Sequence, residues 1–79
     1  MNDIELSPRY HRIVYNIACG YTNNEIAEIM GITSSTVANH ITAIMKSFQV
    51  HDRLELVVKA LKIGIIHIES IALVDRSGK

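Results

Sequence analysis

The sequence contains few residues of several types, and each scarcity excludes some classes of protein. Its single cysteine, Cys19, cannot form an internal disulfide, which fits a reducing compartment. The most apolar stretch, residues 63–74, is too short and too polar to cross a bilayer. The first residues are polar and acidic, unlike those of a signal peptide. We therefore expect a cytoplasmic protein without a membrane segment.

Charge of one sign is also scarce. Eight Lys/Arg residues balance eight Asp/Glu residues, so the chain lacks the net positive charge typical of strongly basic nucleic-acid-binding proteins. The distribution is uneven, because residues 34–49 contain Lys46 and His40 but no acid. One segment of a neutral chain is therefore locally positive.

Residue patterns that support metal binding or catalysis are missing as well. The four histidines show neither i, i+4 spacing nor a nearby cysteine, so we expect no metal site. They are His11, His40, His51 and His67. No nucleophile–base constellation and no phosphate-binding loop can be recognised. These patterns predict a protein that is not an enzyme and has no cofactor or small-molecule ligand.

Apolar residues, in contrast, are plentiful for so short a chain. They make up 48% of 79 residues, which suffice for one small domain with one core. So small a domain cannot bury that much apolar surface alone. We therefore expect an apolar face that is shared with a second copy of the chain.

The one proline and most of the four glycines fall at the ends of apolar segments with helical periodicity. The pattern predicts an all-α fold, a four-helix bundle that contains a helix-turn-helix. The predicted helices cover about residues 7–19, 23–30, 34–48 and 53–63. The predicted N-caps are Ser7, Thr22, either Thr33 or Ser34, and Asp52.

The third predicted helix has two chemically different faces. One face is an apolar stripe of Val37, Ile41, Ile44, Met45 and Phe48. The opposite face carries small or hydrogen-bonding side chains and no carboxylate. The second predicted helix, a tight turn at Gly31 and the third predicted helix together form a helix-turn-helix. In this motif the later of the two helices enters the DNA major groove. The candidates for base contacts are Ser35, Ala38, Asn39 and Thr42. A solvated helix face is the alternative interpretation.

The fourth predicted helix is apolar over more than half of its circumference, because Leu56, Ala60 and Ile63 lie off its main stripe. A surface helix needs a stripe of only about 100°, so the excess predicts a partner helix. The predicted dimer interface is the stripe itself, Leu54, Val57, Val58, Leu61 and Ile65. The tail, residues 67–79, is a candidate for part of the dimer contact, and we expect its end, from Arg76 onwards, to be frayed. A short strand or an extra helical turn both fit the tail's broken alternation of apolar residues.

A series of spaced residues over about residues 5–66 resembles the LuxR-type helix-turn-helix domain, also called the GerE or NarL type. The matching residues are Leu6-Ser7-Pro8-Arg9, Gly20, Asn23-Asn24-Glu25-Ile26-Ala27, Ile32-Thr33, Thr36-Val37, His40, Ile44, Val50 and Arg53. The resemblance implies a four-helix domain of a bacterial transcription factor, over residues 1–66 here. It also implies that the third helix reads the major groove of double-stranded DNA and that the fourth mediates homodimerisation. The candidates for phosphate contacts are Thr22, Asn23, Asn24, Thr36, His40, Lys46 and Arg53.

The chain departs from the usual LuxR pattern at several positions. Asn24 and Ala38 stand where the family usually has lysines, Tyr10 replaces a glutamate, and residues 47–49 replace a Lys-Leu-Gly stretch. Fewer cations should weaken DNA binding and reduce its salt dependence. Two other interpretations stay open: the DNA-reading domain of a sigma factor, and a protein-interaction module with a degenerate helix-turn-helix.

Overall fold

Four α-helices, all of them predicted, make up most of the structure. The structure, a computed structural model, describes residues 6–76. The helices are α1 (Pro8–Ala18), α2 (Asn23–Met30), α3 (Ser34–Phe48) and α4 (Arg53–Lys62), followed by a single 3-10 turn at Ile68–Ser70. The all-α fold is therefore confirmed, and each helix ends within one residue of its predicted bound. In the part of the chain described, no helix has the length and apolar character needed to cross a membrane.

Each helix begins at a predicted capping residue. In every case the side-chain oxygen of the cap accepts a hydrogen bond from the backbone N–H three residues later. The four caps are Ser7, Thr22, Thr33 and Asp52. At α2 the bond is reciprocated, because Glu25 Oε1 accepts from the backbone N–H of Thr22 at 2.9 Å. This capping box fixes the start of a helix of only eight residues, which packing must stabilise.

The core lies where α3 packs on α1, α2 and α4. The predicted stripe of α3 supplies its centre: Phe48 is fully buried, and Met45 at the edge is half-buried. The other buried apolar residues of the helices are Ile13, Val14, Ile17, Ile26, Ala27, Val37, Ile41, Ile44, Leu56 and Ala60. Because the apolar side of α3 faces inwards along its whole length, its polar side must face solvent.

The core-facing side of α4 differs from the predicted one. Leu56 and Ala60 are fully buried, whereas Leu54 is 73% exposed and Val58 is 46% exposed. A further contact favours this rotation of the helix, because Lys59, on the buried side, donates from Nζ to the carbonyl of Phe48 at 2.8 Å. That bond satisfies one of the carbonyls left open at the end of α3.

The rest of the predicted α4 stripe lies at the rim of the core. Val57, Leu61 and Ile65 are half-buried and pack against the buried residues. Leu54, Val57, Val58 and Leu61 share one side of α4, and Ile65 follows three residues after the end of the helix. We call this set of five residues the α4 apolar side.

The tail forms a single 3-10 turn at Ile68–Ser70, the second of its two predicted alternatives, and runs alongside α1. His11 Nε2 donates to the carbonyl of Ile65 at 3.0 Å, and the Tyr15 hydroxyl donates to that of Ser70 at 2.8 Å. Farther along, the N–H of Val74 donates to the carbonyl of Cys19 at 2.9 Å. Residues 65–74 therefore contact α1 and its C-cap at three successive points.

The end of the described tail is held at the start of α2. The Arg76 guanidinium forms an ion pair with Glu25 and donates to the carbonyl of Gly20 at 3.0 Å. Arg76 thus has defined partners, whereas the frayed end stays a prediction for residues 77–79, which lie outside the described part. Gly20 has φ +99°, and a Cβ atom there would lie 3.3 Å from Val74 Cγ1, so its lack of a side chain lets the tail approach.

The end of α3 gives a test of this backbone geometry. Gln49 caps α3 with φ +58°, in the left-handed region, where a Cβ atom is strained. We expect Gln49→Gly to raise the free energy of unfolding by about 0.5 to 1 kcal/mol. The matched control is Ser47→Gly, at an exposed helical position, which should lower it by about 0.5 kcal/mol. Urea unfolding followed by circular dichroism measures both, and a loss of stability in Gln49→Gly would contradict the left-handed cap.

Candidate nucleic-acid interface

The turn between α2 and α3 sets the angle at which α3 is presented. Gly31 ends α2 with φ +70°, and the N–H of Ile32 donates back to the carbonyl of Ala27 at 3.0 Å. Thr33 then caps α3, so only three residues separate the two helices. This tight connection, with Ile26 and Val37 fully buried, packs α3 firmly against α2.

The outward side of α3 has the chemical character that contact with base edges requires. Its residues are Ser35, Ala38, Asn39, Thr42 and Lys46, and all five are exposed, as predicted. We call this set the α3 polar face. It extends for about 16 Å at 1.5 Å per residue, and α3 contains no acid. Nothing on this face would repel the phosphates that flank a DNA groove.

Two residues in the middle of the α3 polar face carry most of its hydrogen-bonding capacity. The Thr42 hydroxyl donates to the carbonyl of Ala38 at 3.0 Å, so it has used its own hydrogen. Toward a ligand it therefore offers acceptor lone pairs and a methyl group. The exposed amide of Asn39 supplies both donors and an acceptor, the combination that matches the major-groove edge of adenine.

The start of α2 gathers several of the predicted phosphate contacts. Thr22 and Asn24 are exposed there, and the Thr22 hydroxyl accepts from the N–H of Glu25 at 3.2 Å. Asn23 is half-buried, and its Oδ1 accepts a hydrogen bond from Arg53. The structure thus brings Thr22, Asn23, Asn24 and Arg53 together at the positive end of the α2 dipole.

Arg53 joins α4 to the start of α2. Besides Asn23, its guanidinium donates to the carbonyl of Tyr21 at 3.2 Å. The neighbouring acids, Asp52 and Glu55, accept hydrogen bonds from backbone N–H groups instead. Arg53 therefore positions the two helices relative to each other, whatever else its remaining N–H groups bind.

The other predicted phosphate contacts lie apart from this cluster. Lys46 is exposed in the last turn of α3, whereas the half-buried Thr36 shares a 2.9 Å hydroxyl–hydroxyl bond with Thr33. The His40 ring packs against Tyr10 with 5.1 Å between ring centroids. Its Nε2 atom is buried and has no hydrogen-bond partner within residues 6–76. A phosphate contact through this atom requires the ring to turn outwards.

Comparison with known proteins identifies the family. Residues 5–60, more than two thirds of the chain, match the family described as bacterial regulatory proteins, luxR family. The chain belongs to the LuxR family. This match decides between the two DNA-reading classes that the sequence allowed, and the sigma-factor interpretation is set aside.

Several curated proteins are similar to this LuxR-family chain. The uncharacterized response regulatory protein YgeK of Escherichia coli is 39% identical over 64 residues, which are 81% of this chain and 44% of YgeK. The HTH-type transcriptional activator RamA of Corynebacterium glutamicum is 37% identical over 62 residues, 78% of this chain and 22% of RamA. The response regulator protein VraR of Staphylococcus aureus is 38% identical over 61 residues, 77% of this chain and 29% of VraR. The chain therefore spans less than half the length of these relatives.

Sequence reasoning missed one charged group of this LuxR-family domain. Arg76, from the tail, pairs with Glu25 in the first turn of α2, 51 residues away in the sequence. No local pattern could have indicated it, because the contact depends on the path of the tail along α1. Among residues 6–76, no three His, Cys, Asp or Glu side chains cluster closely enough to hold a metal ion.

The ion pair strongly perturbs the titration of Glu25. Hydrogen bonds from Arg76, and a second bond from the backbone N–H of Thr22, lower the pKa of Glu25 from 4.5 to about 2. The same pairing raises the pKa of Arg76 above its ordinary value. Both groups are therefore charged throughout the physiological pH range.

This pKa shift predicts how stability depends on pH. Because the pKa of Glu25 is lower in the folded than in the unfolded state, its ionised form stabilises the fold fully above about pH 4.5. The contribution is lost as the pH falls towards 2. Glu25→Gln retains the capping hydrogen bond but not the charge. We expect the wild type to exceed Glu25→Gln in free energy of unfolding at neutral pH, and the difference to shrink below about pH 4.5.

Urea unfolding of both proteins at a series of pH values measures this difference. The control is Glu28→Gln, which removes an exposed carboxylate from the same helix. A gap between wild type and Glu25→Gln that stays constant down to about pH 3 would contradict the ion pair.

Proposed function

We propose that the chain is a bacterial transcriptional regulator that binds double-stranded DNA in the major groove through α3, as a homodimer joined through α4. The observation that carries the proposal is the α3 polar face, exposed and free of acids, on a helix whose other side is fixed in the core. Membership of a family of bacterial regulatory proteins supports it, as does similarity to a protein named as a transcriptional activator. Such a regulator acts in the cytoplasm, where bacterial DNA is found.

Within this proposal the residues divide into two groups. Asn39 and Thr42 read base edges, with Ser35 beside them and Ala38 against a thymine methyl group. Phosphates are bound at the start of α2 and by cations beside it, which fix the orientation of α3 in the groove. Of the sequence-predicted phosphate contacts, Lys46, Thr22 and Asn24 fit this role best, because they are exposed.

The α4 apolar side supports the homodimer. Leu54 and Val58 expose apolar area, and half-buried Val57, Leu61 and Ile65 continue it. Association of two copies through this side removes that area from water. A two-fold dimer would place its two α3 helices about 34 Å apart, one turn of DNA, and would recognise a pseudo-palindromic site.

The role of the α3 polar face can be tested by truncating its two central side chains. A site is first selected from random duplexes by bound-fraction enrichment with the wild-type protein. We expect Asn39→Ala and Thr42→Ala each to cost about 1 to 3 kcal/mol of binding free energy to that site. The loss of binding free energy caused by each substitution should be much smaller on unrelated DNA. Fluorescence anisotropy with both duplexes measures the change.

Ser47→Ala is the matched control, since it truncates an exposed side chain in the last turn of the same helix, away from its amino-terminal half. It should bind like the wild type. If Ser47→Ala loses discrimination between the selected site and unrelated DNA, and the Asn39 and Thr42 variants do not, the α3 polar face is not the surface that contacts the bases. A wild-type protein that binds no duplex even at low salt would favour the protein-interaction module instead.

The dimer contact can be tested with two variants of equal exposure. Leu54 is 73% exposed on α4 and Leu73 is 75% exposed on the tail. Leu54→Glu places a charge in the proposed interface, so we expect a monomer that binds the selected site more than tenfold more weakly, since burying an unpaired charge costs several kcal/mol. Leu73→Glu, outside the α4 apolar side, should stay dimeric and bind normally, whereas a monomer would show that the tail also takes part in the dimer contact.

Sedimentation velocity gives the oligomeric state, and anisotropy gives the affinity. Since both side chains are exposed in the isolated domain, neither substitution should unfold it, and circular dichroism checks this. If Leu54→Glu sediments as a dimer with wild-type affinity, the α4 apolar side is not the interface.

A further inference from the structure

The tail brings a guanidinium to the start of α2, beside the proposed phosphate contacts. Arg76 contacts Glu25, in the first turn of that helix, and the carbonyl of Gly20, two residues before the cap Thr22. Its side chain is 50% exposed despite these contacts. The family match ends at residue 60, so this group comes from a segment outside the part of the chain that the family defines.

The hydrogen bonds of Arg76 leave part of the guanidinium available. An arginine has five N–H donors. Nη1 donates once to Glu25, and Nη2 donates to Glu25 and to Gly20, so these contacts account for three of the five. The two remaining donors, on a half-exposed group, can bind a further oxyanion without breaking the contacts that hold the side chain.

Glu25 acts on Arg76 as a fixed anchor. Its carboxylate is itself held by the backbone N–H of Thr22, and its helix is fixed in the core through Ile26 and Ala27. The guanidinium is therefore ordered before any ligand arrives, and an ordered side chain loses less conformational entropy on binding. The N-terminal dipole of α2 adds positive potential at the same place.

We propose that Arg76 is a DNA phosphate contact, supplied by the tail and oriented by Glu25 at the start of α2. The inference rests on the proposed function, because the phosphate belongs to the duplex bound by α3. It gives the docked tail a role in binding: the contacts of the tail with Tyr15 and Cys19 carry Arg76 to the DNA-facing end of α2.

The salt dependence of DNA binding tests this inference. The probe is a labelled duplex of mixed sequence, since phosphate contacts do not depend on sequence. Anisotropy is measured from about 50 to about 200 mM KCl. We expect Arg76→Gln, which removes the positive charge, to reduce the slope of log K against log salt by about 0.9 per subunit. Arg76→Lys retains the charge and should keep the wild-type slope.

The matched control is Arg12→Gln, which removes an exposed arginine from the side of α1 that faces away from the core, and hence away from α3. It should leave the slope unchanged. A wild-type slope in Arg76→Gln, or an equal reduction in Arg12→Gln, would overturn the assignment of Arg76 while leaving the proposed function intact. A wild-type protein that binds no duplex would overturn both.

Discussion

Burial of the apolar side of α3 is the constraint on which the other features depend. Val37 and Phe48, near its two ends, are both fully buried, so the helix cannot rotate about its axis without exposing large apolar side chains. With that side fixed, the polar side must face solvent. A helix held in this way loses little freedom when it enters a groove, which suits it to reading DNA. The remaining elements determine the angle of α3 and the groups beside it and, in the proposed dimer, its distance from the α3 helix of a second copy.

The neutral net charge of the chain is compatible with DNA binding because the charges are not evenly placed. Acids are absent from α3, and the carboxylate closest to the start of α2, that of Glu25, is paired with Arg76. Arg53 and Arg76 reach the same end of α2 from different segments, α4 and the tail. The relevant quantity is the local electrostatic potential at the start of α2, the proposed phosphate site, which long-range contacts raise without changing the total charge.

Local chemistry allowed most of the fold to be predicted, and distant contacts account for what was missed. The caps Thr22 and Asp52 were readable because each acts on a residue three positions away. The rotation of α4 could not be predicted, since a helix that is apolar over most of its surface offers several equivalent core-facing sides. The bond from Lys59 to Phe48 helps to select one of them. The α3 polar face could be predicted because its periodicity is local. The position of Arg76 could not be predicted, because it depends on contacts between distant segments.

Arg53 links the proposed dimer contact to the proposed DNA contact. It lies next to Leu54, the most exposed residue of the α4 apolar side, and its guanidinium binds Asn23 and the carbonyl of Tyr21 at the start of α2. A partner docked on α4 as proposed would therefore lie one residue away from the guanidinium that holds the start of α2, where we propose that phosphates bind. Because α2 and α3 pack as one unit, the dimer contact then determines the separation of the two α3 helices. In the proposed complex, affinity for a two-part DNA site depends on α4 as directly as on α3, since a small error at the proposed dimer contact would displace both α3 polar faces from their base pairs.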